Sequence, residues 1–332
     1  MKIYEPLVSI LTPAWNRELY LKRLWESLSN QEYSNIEWII ANDGSTDGTL
    51  ELCRYIQLVS KFSVTIINSD IRVGKAKMDN ELISAAKGEL IAWCDSDDYL
   101  LPHSIKRLCN IWESISEEDR DSYIGVTSLC ATEEGVIQSK VPNIVGIFDT
   151  TWSDLENIHN VKTDTLIFFR ANLIRNCRFL EVDFVVNEGI LWNQFFNMKT
   201  RFVPEIMKIM YRGADNRISH SGKMEYCRGK AYSLAICENY FISSGHTRES
   251  KWRLITFHRY CIHGDIGLRK AYKLYNANLA EIIWIMFYPF GLLLAIKDII
   301  QRKVIKTHIE FNKNIKLANI QMLLKNDLKN LN

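Results

Sequence analysis

The chain has 332 residues, room for one large α/β domain with a smaller appendage or for two domains. With 47% hydrophobic and 24% charged residues, its ordinary globular composition excludes a mostly disordered chain. A net charge of +2, from 41 Lys and Arg against 39 Asp and Glu, excludes a nucleic-acid polycation, yet residues 297–332 carry eight Lys/Arg and three Asp/Glu, a local +5. The 8 cysteines are scattered, with no CxxC pair and no zinc-like His spacing, and read as reduced structural cysteine of a cytosolic chain. The opening MKIYEPLVSILTPAWN lacks the charged start, long apolar stretch and small-residue cleavage site of a secretory signal, so the chemistry is expected in the cytoplasm.

In chain order, Leu7–Thr12 is a short apolar run stopped by Pro13, which suits a buried strand ending in a loop. Helical spacing follows over Leu19–Leu28, then a strand over Ile36–Ala41 that ends in the turn-rich Asn42-Asp43-Gly44-Ser45-Thr46-Asp47-Gly48-Thr49. Residues 50–60 return to helix, 63–67 to strand and Lys75–Ala86 to helix, and the strand Leu90–Cys94 runs into Asp95-Ser96-Asp97-Asp98. Strands alternating with helices predict βαβ units and a mostly parallel sheet, with ligands bound beyond the carboxyl ends of its strands. Further strands are expected at Tyr123–Leu129 and Thr165–Arg170, and residues 225–275 read as helical and basic. Ile282–Ile296, IIWIMFYPFGLLLAI, is an uncharged and mostly apolar run.

The sharpest chemical signal is the acidic cluster after the fourth strand. Asp95 and Asp97, one residue apart at a strand end, suit a hard divalent cation such as Mg²⁺ that neutralises a diphosphate leaving group. The bland alternative is an acidic turn capping a helix over 101–115, because Asp favours N-cap positions. Asn42-Asp43-Gly44-Ser45 opens a helix where backbone N–H groups and Asp43 can grip a polar ligand, although turn chemistry alone selects the same residues. In the first loop, Thr12-Pro13-Ala14-Trp15-Asn16, Trp15 is either core or the wall of a base pocket.

Three stretches, VSILTPAWN at 8–16, NDGSTDGT at 42–49 and AAKGELIAWCDSDDYLLP at 85–102, taken in this order resemble the family 2 glycosyltransferases of GT-A fold over about the first hundred residues. The resemblance implies a Rossmann-like, mostly parallel central sheet with a helical C-terminal extension. It places Thr12, Pro13, Trp15, Asn16, Asp43 and Gly44 at the nucleotide of the donor. Asp95 and Ser96 would follow on the ribose side, and Asp95 and Asp97 at the metal, Mn²⁺ or Mg²⁺, with Asp98 as a helper. Many members carry Ala-Arg-Asn before the fourth strand, where this chain has Met78-Asp79-Asn80; Asn80 is retained, and Gly74-Lys75 resembles a subgroup with a Gly-Lys element, which makes Lys75 either the positive charge near the donor or a solvated lysine at a helix start. The catalytic base that inverting transfer needs falls on Glu188, in Asn187-Glu188-Gly189, where relatives have a Glu-Asp pair, with Asp183 as the alternative. The plain alternative for Glu188 is a carboxylate favoured by a helix N-terminus. His220 is a further metal candidate, or a surface histidine.

These readings divide the chain into a catalytic domain over 1–215, with nucleotide-sugar binding in 1–102 and the acceptor side in 103–215, and a helical region over 216–332. The latter is expected to hold a membrane-interface segment at 279–300 and a basic tail. Residues 282–296 are too few to span a bilayer, and Pro289 and Gly291 interrupt them; Trp284, Tyr288 and the tail favour the membrane interface over a buried helix. The expected activity is transfer of a sugar, from a UDP-sugar, to a glycan or lipid-linked acceptor of bacterial surface polysaccharide synthesis. The enzyme is expected as a peripheral protein on the inner face of the cell membrane. A metal-dependent nucleotidyltransferase and a non-catalytic membrane-associated nucleotide-sugar-binding scaffold are the alternatives.

Overall fold

The computed structural model describes residues 4–137, 145–161, 163–182, 184, 186–213, 227–243, 251–275 and 281–300. The chain forms two compact units, one of residues 1–178 and 195–214, the other of 179–194 and 215–332. The segment 179–194 therefore groups with the C-terminal residues rather than with the sheet.

The first unit opens with β1 (Val8–Ala14), α1 (Glu18–Ser29), β2 (Ile36–Asp43), α2 (Thr49–Val59), β3 (Ser63–Ser69), α3 (Lys75–Ala85) and β4 (Leu90–Trp93). It continues with β5 (Tyr99–Leu100), α4 (Ser104–Glu113), β6 (Tyr123–Thr132), β7 (Phe148–Thr151), α5 (Trp152–Asn157), β8 (Thr165–Arg170), α6 (Ala171–Ile174) and β9 (Lys199–Met210). One sheet runs in the order β3-β2-β1-β4-β8-β6-β9-β5, with β7 also on β9. The first four strands are parallel, as is the β6–β9 pair, while β8 and β5 join antiparallel. Every residue of β2 is buried, as expected of a central strand covered on both faces. Helix α1 buries Leu21, Leu24 and Leu28, one stripe at helical spacing. Among the described residues all eight cysteines are free.

β1 does not stop at Thr12 but runs through Pro13 to Ala14. The carbonyls of Leu7 and Leu11 accept from the β4 side, so the odd residues of β1 face that neighbour. Pro13 faces it too, but β4 ends opposite Leu11, so the missing N–H removes no ladder bond.

The second unit holds a short helix α7 (Gly189–Trp192) and the helices α8 (Cys227–Ser243), α9 (Lys251–His263), α10 (Leu268–Tyr275), α11 (Glu281–Met286) and α12 (Tyr288–Ile300). Its core gathers Ala231, Tyr232, Leu254, Phe257, Cys261, Leu274, Tyr275 and Trp284, with Leu180 and Phe184 packed against it. Trp284 is thus a core residue, 2% exposed, and not an interfacial anchor: its ring lies 4.3 Å from that of the buried His258. Among the described residues no helix is long and apolar enough to cross a membrane.

Candidate active site

The carboxyl ends of β1, β2, β3 and β4 bring their loops to one end of the sheet, and bonds between side chains and backbone hold the first three in place. Asn16 sits in the left-handed region at φ 51°. Its side-chain oxygen accepts the Thr46 N–H at 2.8 Å and its own N–H donates to Ser45 Oγ at 2.9 Å. The Arg17 N–H donates to Thr49 Oγ1 at 2.8 Å, so the loop after β1 is stitched to the loop after β2 along its length.

Asp43, the last residue of β2, is 5% exposed, and burial pushes its carboxyl above the usual range. Opposing that shift, its Oδ1 accepts the N–H groups of Val73 at 2.6 Å and Gly74 at 3.1 Å, which ties β2 to the loop before α3. Gly44 follows at φ +62°, and a Cβ there would come within 2.4 Å of both the Arg72 nitrogen and the Ile71 carbonyl carbon. Only glycine admits so close an approach. The approach carries Arg72 onto Trp15, its guanidinium carbon 3.5 Å from the ring centroid. The sequence motifs do not single out Arg72, because its place on Trp15 depends on the tertiary approach of residues 71 and 72 to Gly44, which no local pattern encodes.

Thr12 is placed differently from the expectation that it touches the base. It is fully buried, its hydroxyl donating to the Cys94 carbonyl at 2.8 Å and accepting the Trp38 indole N–H at 2.9 Å. It fixes the carboxyl end of β1 to the residue after β4 and to Trp38 of β2. The Lys75 ammonium pairs with Asp79 at 2.9 Å, and the Asp79 carboxylate, 1% exposed, accepts the Trp93 indole N–H at 3.0 Å. The positive charge expected near the donor is thus offset by the residue that stands in the arginine position. Asn80 is buried on α3, and Pro13, Trp15 and Gly44 are half-buried.

After β4 the chain turns tightly, the Asp98 N–H donating to the Asp95 carbonyl at 3.0 Å. Asp95 is exposed, while Ser96, Asp97 and Asp98 are buried. This cluster does not cap a helix. β5 follows it directly, and α4 begins at Ser104 behind His103 with no side-chain cap. Behind the turn, Lys208 of β9 pairs with Asp98 at 3.1 Å and Arg23 donates to the Asp97 carbonyl while lying 4.3 Å from the Tyr211 ring centroid. Asp98 is committed to that ion pair, and Asp95 and Asp97 are the carboxylates of the turn that suit a cation. Among the described residues no group of three or more His, Cys, Asp or Glu can hold a metal. Two carboxylates on one turn instead fit a hard cation that takes its other ligands from water and substrate phosphate oxygens.

Glu188 belongs to the second unit, where it is exposed at the start of α7. It makes no capping bond; the neighbouring Asn187 side chain takes the Gly189 N–H at 2.6 Å. Asp183 and His220 lie outside the described residues, as does the tail over 301–332.

The family model described as glycosyl transferase family 2 matches residues 9–175. The glycosyltransferase GlyG of Streptococcus pneumoniae serotype 4 is 35% identical over 119 residues, 36% of this chain and 38% of that protein. The GalNAc(5)-diNAcBac-PP-undecaprenol beta-1,3-glucosyltransferase of Campylobacter jejuni is 24% identical over 206 residues, 61% of this chain and 64% of its own. The chain spans less than two thirds of the length of either relative. Among solved structures, residues 1–349 of S. aureus TarS in complex with UDP-GlcNAc superpose with a TM-score of 0.57 at 14% identity, covering 90% of this chain and 84% of that one. The GT-A fold expected from the three loops is the fold found.

Proposed function

The chain belongs to glycosyl transferase family 2, and on that premise we propose that it is an inverting glycosyltransferase using a nucleotide-diphosphate sugar, a UDP-sugar, as donor. The observation that carries this reading is the stitching of the loops after β1, β2 and β3, Asn16 to Thr46, Asp43 to Val73 and Gly74, and Arg72 on Trp15, together with the turn of Asp95 and Asp97 after the parallel neighbour β4. Such a cradle offers an aromatic and guanidinium wall to a base and carboxylates to the diphosphate end of the same ligand. Asp95 and Asp97 would hold Mn²⁺ or Mg²⁺ together with the donor, and the ion would supply charge neutralisation for the departing diphosphate.

In the transfer, the acceptor hydroxyl oxygen bonds to the anomeric carbon as the bond from that carbon to the nucleoside diphosphate breaks. Glu188 accepts the hydroxyl proton, and the electron pair leaves with the diphosphate. Asp183 is the second carboxylate of that stretch for the role. The acceptor is a glycan or a lipid-linked glycan of bacterial polysaccharide synthesis. This reading is supported by the Campylobacter relative, whose name gives a PP-undecaprenol-linked substrate. Such an acceptor puts the enzyme at the inner face of the cell membrane.

The test is protection against thermal unfolding by UDP-, GDP- and dTDP-sugars, with and without Mn²⁺, followed by metal-dependent hydrolysis of the protecting donor. A UDP-sugar that protects more strongly with Mn²⁺ and is slowly hydrolysed is the expected outcome. No protection by any nucleotide sugar overturns the reading, and protection without turnover in the presence of acceptor favours a scaffold.

A further inference from the structure

We propose that the outer face of α12, continued by the end of α11, is the surface by which this protein docks on an anionic lipid bilayer; the proposal deepens the reading of a membrane-linked acceptor and rests on it. The helix is inverted with respect to an ordinary surface helix, which turns its polar residues outward. Its inward positions are Gly291, Ala295 and Asp298, spaced by four and three residues. At Gly291 a Cβ would lie 2.4 Å from the His258 Cβ of α9, and Ala295 is fully buried. Asp298, 3% exposed, takes the Arg259 guanidinium on both carboxylate oxygens and the His263 ring nitrogen at 3.1 Å. The acid is inside, and it fastens the helix to α9.

The outward positions are apolar. Phe290 is 55% exposed, Leu293 64%, Ile296 43%, Ile299 61% and Ile300 75%, with Met286 of α11 at 64%. Single exposed apolar side chains need no explanation, but a contiguous row of them does. With 13 residues, α12 is about 20 Å long, short of the roughly 30 Å of a hydrocarbon core, so such a row lies along a bilayer rather than through it.

Charge selects the occupant. The only outward charge on α12 is Lys297, because Asp298 is already paired. Residues 301–332 add seven Lys/Arg against two Asp/Glu, and α10 of the same unit exposes Arg269, Lys270 and Lys273. Neither this basic tail nor a second copy laid face to face finds an acid on α12 to match its charges. An anionic membrane surface matches the apolar row and the positive charges together.

The test is flotation of the full chain, without donor or acceptor, on phosphatidylglycerol-rich vesicles and on phosphatidylcholine vesicles. The full chain is expected to float with the anionic vesicles. The double variant Leu293→Glu, Ile296→Glu is expected to lose partitioning at least roughly tenfold, about 1.4 kcal/mol. Leu58→Glu, at an 84% exposed position of α2, is expected to leave it unchanged. Both altered positions of the double variant are exposed, and an unchanged unfolding temperature checks the fold; if it unfolds, Ile299→Glu alone takes its place. Protection by UDP-sugar stays as in the unaltered chain, which separates this surface from the donor site. A full chain that stays with neither vesicle, equal binding to both kinds, or a double variant that floats like the parent overturns the proposal. So does a double variant that converts a dimer to a monomer in the absence of vesicles, which assigns the face to a second copy.

Discussion

Lys208 Nζ lies 3.1 Å from Asp98 Oδ2 with both residues buried, and the Tyr211 N–H donates to the other carboxylate oxygen at 3.2 Å. Burial pushes the Asp98 carboxyl up to about 6, held from going further by the lysine, while the neighbouring carboxylates, Asp98 foremost and then Asp95, keep Lys208 charged against its own burial. The pair pins the far side of the acidic turn to β9. Lys208→Met leaves a buried carboxylate without a counter-charge and is expected to destabilise the protein by about 3–5 kcal/mol. Adding Asp98→Asn is expected to recover part of that loss. Denaturant unfolding of the two variants measures both numbers, and a Lys208→Met variant as stable as the parent refutes the pairing.

The neighbouring Asp97 is expected to act on the ligand rather than on the fold. Asp97→Asn keeps a side chain of the same shape on the turn and removes the charge a cation needs. Transfer is expected to fall at least roughly 10²-fold, and Mn²⁺ is expected to stop strengthening donor binding, with the unfolding temperature little changed. Titration calorimetry of UDP-sugar with and without Mn²⁺ reads this directly; full transfer by the variant in the presence of a chelator refutes it.

How much of the fold and the site is legible in the sequence follows from range. The apolar runs of β1, β2 and β4 and the polar loops after them are local patterns, and these alone mark Asp43, Asp95 and Asp97. β5 is not legible: two residues, Tyr99 and Leu100, become a strand only because they pair with Ile209 and Lys208 over a hundred positions later. Thr12 is misread from sequence because a hydroxyl spent between Cys94 and Trp38 has the same letter as one offered to a ligand. The partner of Lys75 is hidden because the acid one helical turn on, Asp79, looks like a missing arginine. The outer face of α12 is hidden by composition, since IIWIMFYPFGLLLAI is apolar all round and its inner face is set by Gly291 and by Asp298, beyond the run.

For the acceptor side, Glu188→Gln keeps the size and hydrogen-bonding capacity of the residue at the start of α7 and removes its ability to take a proton. Donor and metal binding are expected to persist while transfer drops by a factor on the order of 10²–10⁴. Donor hydrolysis and transfer are measured side by side in the variant and in Asp183→Asn. Unchanged transfer in Glu188→Gln together with collapse in Asp183→Asn moves the base to Asp183.

The last prediction concerns His258, fully buried on α9 with its Nε2 3.2 Å from the Trp284 carbonyl. A carbonyl oxygen can only accept, so Nε2 is the donor, and it is burial that keeps the ring neutral. Burial lowers its pKa from 6.5 to about 4, against a smaller opposing effect of the carbonyl. Between these values the unfolded chain binds a proton that the folded chain does not, so stability rises with pH through this window. The contribution is fully present above about pH 6.5 and is lost as pH falls towards 4, to a limit of about 3 kcal/mol. Denaturant unfolding between pH 4 and 7 measures it. Against the parent, His258→Gln, which retains a donor for the Trp284 carbonyl but does not titrate, is expected to show a flatter dependence in this window alone. Parallel curves for the two proteins place the titrating group elsewhere.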